Sequence, residues 1–347
     1  MKFQSILIAL STLLRVGLAA YDAGPGLGIS LSSGYATVSV RLENGTYIDI
    51  AKIEGGERYK AYMLGSQEEP SAVLVSTKYC PSSRHICQRY WPITTVVQPP
   101  NPLAPILQAL VAAAESTLEK RIRSVAVSAY DLFTIDHDLV QRDVQSALNG
   151  VQVYSWHRID HVVRQLVPAL GIQGRCSDPY TLPDDPSYHA DPEQLILTVE
   201  YTRQSLTAAL WEEECSVLSQ RGGVHTNELG HDALEACRRT NDSASCDEAF
   251  KSTLRDVLRS QESMSSTDQT IGAVLIMGEQ ANDDGMMTLL RQVLEEQCSN
   301  GESADLSLVR ELAVDPAYVG SRVSALAEWE AKAIVRDEHQ YPAAKDL

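Results

Sequence analysis

Gly28-Ile-Ser-Leu-Ser-Ser-Gly34, followed by Tyr35-Ala-Thr-Val-Ser-Val-Arg-Leu42, is the stretch that decides the fold. In the second segment polar and apolar side chains alternate, which is the period of a β-strand. An Asn44-Gly45 pair comes next, and Asn-Gly tolerates the positive φ angles of a tight hairpin turn. The sequence therefore predicts strand, turn, strand, turn and strand from Gly28 to Ile53.

The first turn of this meander also has the composition of an anion-binding turn. Successive backbone N–H groups can hold a phosphate where glycine leaves them uncovered. An ordinary hairpin turn is the simpler interpretation of so short a motif, and phosphate binding is the alternative.

The order of these segments, with Ile53-Glu-Gly-Gly-Glu-Arg58 after them, resembles the opening of a known ATPase domain. That domain belongs to the seventy-kilodalton heat-shock chaperones (the DnaK type), in the actin-like ATPase superfamily. It opens with Gly-Ile-Asp-Leu-Gly-Thr-Thr and continues to an Asn-Gly turn and a Gly-Asn-Arg segment. Further along, Ser124-Val-Ala-Val-Ser-Ala-Tyr130 is similar to the family's strand Val-Thr-Val-Pro-Ala-Tyr-Phe. The resemblance implies an α/β fold of two actin-like (ribonuclease H-like) lobes, each a mixed sheet with flanking helices.

The second half of the chain repeats the opening plan. Residues 195–210 again predict strand, turn and strand, about 170 residues after the first hairpin, as an internal repeat would. Asp-Pro turns within 172–193 predict a linker between the halves. We therefore expect a first lobe at 21–190 and a second at 191–347. The resemblance implies that the outer part of the second lobe is reduced.

Several helices are also predicted. A proline cluster at 99–105 begins an amphipathic helix that runs to Leu118, and a second helix spans Asp136 to Leu148. Asp315-Pro316 caps the last helix. With 347 residues and 44% hydrophobic content, the chain can bury one large or two moderate cores.

Phosphoryl transfer in this superfamily needs carboxylates for magnesium, glycine N–H groups for phosphates and a lysine against the developing charge. By the resemblance, Ser30 replaces the first aspartate, while Glu200 keeps a carboxylate in the second hairpin. Thr202, Arg203 and Gln204 replace the glycines there, and Arg203 either pairs with a phosphate or fills or caps a vacated cleft. The residues expected to face a nucleotide are Ser30, Ser32, Ser33, Gly34, Glu200, Thr202, Arg203, Ser205 and Gly278.

Other enzyme chemistries have weaker signals. His225 and His231 lack the His-Glu-x-x-His spacing of a zinc site, and Gly28-x-Ser-x-Ser is not the Gly-x-Ser-x-Gly nucleophile elbow. A hydrolase with a scattered triad stays open. We assign no catalytic residue and no metal ligand.

The first twenty residues have the layout of a secretory signal peptide, with an apolar core from Ile6 to Leu14 and cleavage near Ala19 or Ala20. The expected location is therefore outside the cell or in the secretory lumen, without a membrane anchor in the mature form. A net charge of −17 argues against nucleic acid or anionic membrane as a partner.

Seven cysteines behind a signal peptide predict disulfides, with one thiol left over or paired between chains. The pairs that flank short polar loops are Cys80 with Cys87 and Cys237 with Cys246. Cysteine–histidine metal ligation is the competing interpretation, although no Cys-x-x-Cys pair is present. The sequons at Asn44 and Asn241 predict glycosylation where they are exposed.

Two functions follow. The first is a secreted, degenerate ATPase-domain relative, catalytically weak or inactive, that binds a protein or small-molecule ligand and needs no cofactor. The alternative is an enzyme that binds ATP with magnesium and hydrolyses it slowly in the cleft between the lobes. A filled cleft would favour the first function, and an open cleft the second.

Overall fold

The computed structural model describes residues 24–65, 73–76, 94–97, 100–130, 137–155, 158–172, 194–214, 217–240, 243–259, 271–297 and 315–340. Within these ranges the chain is a mixed α/β structure with two large mixed sheets, a separate two-stranded hairpin and eight α-helices. The predicted α/β class is confirmed.

The first sheet is built on the predicted meander. The strands of the first half are β1 (Gly26–Leu31), β2 (Tyr35–Arg41), β3 (Tyr47–Glu54), β4 (Val73–Ser76), β5 (Thr94–Val97), β6 (Ala126–Ala129) and β7 (Asp160–His161). The sheet has the order β3-β2-β1-β6-β7, in which β1 is antiparallel to β2 and parallel to β6. Strands β4 and β5 form the separate hairpin. The predicted turn is confirmed, since Gly45 has a φ of +83°.

The second sheet repeats this topology. Its strands are β8 (Gln194–Tyr201), β9 (Leu206–Glu214), β10 (Val217–Thr226) and β11 (Ile271–Met277). They lie in the order β10-β9-β8-β11, with β11 parallel to β8 and the other neighbours antiparallel. If β4 and β5 are left aside, the two sheets have the same strand order. In each sheet the third strand along the chain lies next to the second, the second next to the first, and the first next to the fourth. The predicted second hairpin is present as β8 and β9.

Eight helices flank the sheets in the part of the chain that the structure describes. They are α1 (Glu57–Met63), α2 (Ala104–Leu118), α3 (His137–Gly150), α4 (Val162–Ala169), α5 (His231–Thr240), α6 (Ser243–Arg259), α7 (Asp284–Gln297) and α8 (Val319–Gln340). A 3-10 turn, Pro316–Tyr318, precedes α8, and the Asp315 side chain caps it by accepting from Ala317 N at 3.0 Å. The predicted cap at Asp315-Pro316 is therefore correct.

The two sheets share central helices and have separate outer ones. Leu27 and Ile29 of β1 belong to one buried cluster with Leu107 and Leu110 of α2. On the second sheet, the outer core brings β8 together with α6 and α7. Residues of α4 and α8 form a third cluster with the inner face of the second sheet, including Trp211. The layers are thus outer helices, sheet, central helices, sheet and outer helices.

Glycines in β1 let helix α8 lie directly on the first sheet. A Cβ at Gly28 would be 2.1 Å from the carbonyl oxygen of Ser321, and one at Gly26 would be 2.1 Å from that of Ala325. No side chain fits at such distances, so glycine is required by the close approach of the helix. The first glycine of the motif that resembles the ATPase family therefore serves helix packing.

The polar side chains of β2 face α8 rather than solvent. Ser39 Oγ lies 2.7 Å from Ser321 Oγ, and both are fully buried. Arg322 donates to both carboxylate oxygens of Asp49, at 2.8 and 2.7 Å. Because buried hydroxyl and charged groups need partners, this face of the sheet and this helix are complementary. Helix α8 follows the second sheet in the chain but is anchored on the first.

Candidate functional site

The site predicted from sequence is formed by two turns that lie against each other. Residues 32–34 join β1 to β2, and residues 202–205 join β8 to β9; we call them the facing turns. Each is closed by an equivalent backbone bond, from Ser32 N to Tyr35 O at 2.9 Å and from Thr202 N to Ser205 O at 3.0 Å. The structure therefore brings together most of the residues expected to face a nucleotide.

The facing turns are hydrogen-bonded to one another. Ser33 Oγ lies 2.6 Å from Ser205 Oγ and 3.3 Å from Thr202 Oγ1. Ser32 Oγ donates to Glu200 Oε1 at 2.5 Å. All five side chains are buried, with at most 3% of their surface exposed. Direct side-chain hydrogen bonds therefore join the two halves at the facing turns, where the resemblance predicts that a phosphate chain would lie.

The second turn directs its backbone N–H groups to acceptors of the protein itself. Thr202 Oγ1 accepts from Gln204 N at 3.2 Å and from Ser205 N at 2.9 Å. Arg203 N donates to Glu279 Oε1 at 3.2 Å. Three successive N–H groups of this kind form an anion-binding nest. Here one hydroxyl and one carboxylate of the chain occupy it.

Glu279 also links the turn to the first sheet. Its other carboxylate oxygen, Oε2, is 2.8 Å from Lys52 Nζ of β3, and its side chain is only 5% exposed. Lys52 in turn lies over the ring of Tyr35. The side chain of Gln204 packs on Gly34, where a Cβ would be 2.7 Å from Gln204 Cγ. A carboxylate, an ammonium group and an amide side chain thus cover the facing turns.

Arg203 lies outside the closed cleft. Its Nη2 is 3.0 Å from Asp232 Oδ2, and its side chain is 52% exposed. Hydrogen bonding to Asp232 raises the pKa of Arg203 above its ordinary value. Burial alone would raise the pKa of Asp232, but hydrogen bonds from Arg203 and His231 outweigh that effect and hold it below its ordinary value. In the described structure Asp232 therefore holds the guanidinium at the surface of the second turn.

Three buried tyrosines of the first half lie close enough to Glu200 for its charge to affect them. Burial, and then the Glu200 charge, raise the pKa of Tyr35, Tyr59 and Tyr130 above the ordinary value. Tyr59 donates to the carbonyl oxygens of Ser32 at 2.7 Å and of Tyr35 at 3.0 Å. Tyr130 accepts from Gly320 N at 3.0 Å. Glu200, the carboxylate that the resemblance predicts as a magnesium ligand, is therefore buried near neutral tyrosine hydroxyl groups.

Ser30 and Gly278 are separate from the facing turns. Ser30 packs against the start of α8, where a Cβ at Gly320 would be 2.2 Å from Ser30 Oγ. Gly278 has a φ of +99°, and a Cβ there would be 2.4 Å from the carbonyl oxygen of Tyr201. Both positions are explained by close backbone packing.

The described residues offer no metal site, since they contain no group of three or more His, Cys, Asp or Glu side chains that could hold an ion. His225 and His231, whose spacing does not match that of a zinc site, contact different residues. His225 Nδ1 is 2.8 Å from Thr207 Oγ1, and His231 Nδ1 is 3.3 Å from Asp232 Oδ1.

One surface groove was not predicted. It has a volume of about 400 Å³ and lies between α2 and the residues after α3, lined by Gln108, Glu115, Arg121 and Gln152 among others. The charged side chains that line the groove already form hydrogen bonds with other residues of the protein. Arg121 donates to the Gln152 side chain, and Glu115 Oε1 accepts from Ile122 N at 2.9 Å. No sequence motif marked it, because its walls come from two separate helix ends.

The predicted pair Cys237 and Cys246 forms a disulfide that joins α5 to α6. Cys80, Cys87 and the sequon at Asn241 lie outside the described residues. Asn44 is exposed at its turn, where its Oδ1 accepts from Thr46 N at 3.0 Å and Thr46 Oγ1 at 2.7 Å. Over the described ranges, no helix has the length and apolar character needed to cross a membrane.

No family model matches the chain, and no curated protein matches it.

Proposed function

We propose that this chain is a secreted relative of the chaperone-type actin-like ATPase domains that has lost phosphoryl transfer and acts as a binding module for a protein or small-molecule ligand. One observation carries the proposal. The facing turns bond directly to each other, and the N–H groups of Arg203, Gln204 and Ser205 are bound by Glu279 and Thr202. Phosphate groups would have to displace these acceptors.

The relation to the actin-like fold is supported by topology. Both sheets have the same order of their first four strands, and α4 and α8 lie between them. Each sheet contributes its first hairpin turn to one shared cleft. These are the features that a duplicated two-lobed fold with one nucleotide cleft would have.

Opening the cleft for ATP has a cost that can be estimated. It would break the contacts Ser33–Ser205, Ser32–Glu200 and Lys52–Glu279. A neutral hydrogen bond contributes about 1 kcal/mol and a charged one about 1.5–3, while a partly exposed ion pair such as Lys52–Glu279 contributes about 0.2–1, so the cost is roughly 3–5 kcal/mol. Since 1.4 kcal/mol corresponds to a factor of ten, the apparent affinity for ATP would fall by about two to three powers of ten.

Secretion is the other part of the proposal. The leader-like residues 1–20 and the disulfide between Cys237 and Cys246 support it, because disulfides persist in oxidising compartments.

A thermal scan with and without ATP and magnesium tests the loss of nucleotide binding. A ligand at about one hundred times its dissociation constant would stabilise the fold by roughly 2.7 kcal/mol, and we expect no such shift. The matched variant is Arg203→Ala, which removes the one exposed cation of the turn. A magnesium-dependent rise in melting temperature that this variant abolishes would refute the proposal and favour an arginine-based phosphate site.

A further inference from the structure

The edges of the two sheets differ in how they are protected from pairing with another chain. At one end of the first sheet, β7 has two residues; at the other, β3 carries Asp49, Lys52 and Glu54. In the second sheet β11 is buried along most of its length. Short strands, charges and burial are the usual ways in which a sheet edge is made unavailable. β10, with ten residues, is the edge left to consider.

β10 lacks these protections at its beginning. Among the described residues it pairs with β9 alone. Val217 is 62% exposed, and Ser219 and Gln220 are exposed as well. Residues 217–220 contain no proline or charged side chain, and the one charged residue further on, Arg221, makes an ion pair with Glu212 of β9. A bulge between Gln220 and Gly222 interrupts the register, so the regular part of this edge is residues 217–220.

Charge decides which kind of strand this edge would take. The chain has a net charge of −17, so it attracts a basic segment, does not repel a neutral one and repels an acidic one. A second copy carries the same −17. A strand pair of this length also buries less than the roughly 1,000 Å² expected of a stable dimer. Charge and area therefore both disfavour a stable dimer, and charge favours a non-acidic segment of another protein.

We propose that residues 217–220 of β10 are a strand-addition site, which takes an extended neutral or basic segment of a partner protein as the next strand of the second sheet. Main-chain hydrogen bonds supply the affinity in this mode, and alternate side chains contact the exposed face at Val217. The inference rests on the proposed function and deepens it, because it names the surface by which the binding module holds a protein.

Fluorescence anisotropy with a labelled synthetic octapeptide tests the proposal. The probe alternates valine and threonine and has a lysine at each end; its control has the same sequence with every backbone amide N-methylated. We expect saturable binding of the probe, and binding at least tenfold weaker for the control, which cannot donate to a strand. Equal binding of the two peptides would overturn the proposal.

Two proline variants locate the binding edge. Successive N–H groups of a strand point to opposite edges, so of Ser219→Pro and Gln220→Pro one removes a donor to β9 and the other an outward donor. We expect the variant that keeps the wild-type melting temperature to bind the probe at least tenfold more weakly, while Asn227→Ala, just beyond the strand, binds normally. Unchanged binding by the stable proline variant would place the probe elsewhere. Where neither variant folds, the methylated peptide decides.

Sedimentation of the free protein shows whether a second copy of the chain, instead of a segment of another protein, occupies the β10 edge. A dimer that the stable proline variant dissociates would show that a second copy takes this edge, and the proposal of a foreign segment would be wrong. The assays contain no nucleotide, so a failure at β10 and a failure of the nucleotide prediction are independent results.

Discussion

Replacing Gly28 by alanine tests the packing role of this glycine. If the position did not carry the contact between β1 and α8, alanine would spare the fold. In the structure, the new Cβ would lie 2.1 Å from the carbonyl oxygen of Ser321 and 2.2 Å from the backbone nitrogen of Ala325. Both atoms belong to the backbone of α8, which cannot rotate away as a side chain would. The helix must therefore move off the sheet.

The size of the effect follows from packing energetics. Inserting a group into a filled core costs about 1–3 kcal/mol, and we expect about 3 because the contact is with backbone. Removing a glycine also lowers the conformational entropy of the unfolded chain. This effect raises the free energy of unfolding by about 0.4–1 kcal/mol where alanine fits without strain. The expected net loss in free energy of unfolding is roughly 2–3 kcal/mol.

Urea denaturation of Gly28→Ala measures this loss, and Gly56→Ala is its matched control. A Cβ at Gly56 meets no atom within 4 Å, and the residue has a φ of −69°, which alanine adopts readily. We expect the control to unfold within about 0.5 kcal/mol of the wild type, as surface substitutions do. If Gly28→Ala were as stable as the control, α8 would not be packed on β1 as described, and the packing role of this glycine would be refuted.

Two further predictions concern the surface. Mass spectrometry of secreted protein should find the mature N-terminus near Ala20 and a glycan on Asn44, which is exposed at its turn; an intact Met1 with unmodified Asn44 would contradict both. Because the pKa of Asp232 is lowered in the folded state, its pair with Arg203 stabilises the fold above the unfolded pKa near 3.9 and is lost as the pH falls through the folded value. Asp232→Asn should therefore unfold with a slightly weaker dependence on pH below about 4 in an acid titration, whereas an unchanged profile would show that the exposed pair contributes nothing.

Local sequence signals predicted the strands well and the environment of their side chains poorly. The alternation in 35–42 and the Asn44-Gly45 turn depend on neighbouring residues, so the sequence was sufficient for them. The burial of Ser39 was not predictable in the same way. It depends on Ser321 and Arg322, which follow it by some 280 residues and complete the polar face from α8. Alternation shows that a strand has two faces but does not show what covers each face.

The candidate site was predicted in part for the same reason. The facing turns were identified as a pair, and the side chains at 202–204 were expected to obstruct a phosphate. Arg203 was expected to pair with a phosphate or to fill or cap the cleft, and pairing with a phosphate stays a prediction. In the described structure Asp232, on the next helix, holds the guanidinium at the surface. The role of Glu279 was missed, since nothing within its own loop indicates that it accepts from Arg203 N and pairs with Lys52.

Neither an aspartate at position 30 nor a glycine at position 202 would by itself produce a phosphate site at the facing turns. An aspartate in place of Ser30 would meet Gly320 at the start of α8, where a Cβ already has no room. Glycine in place of Thr202 would free two N–H groups but leave Glu279 on the third, and an anion would be repelled by that buried carboxylate. In the described structure, oxygen atoms of Thr202 and Glu279 bind the N–H groups of the second turn, and the same two side chains also contact Ser33 and Lys52 of the first half. On the proposed function, loss of nucleotide binding and closure of the cleft would therefore be one structural change.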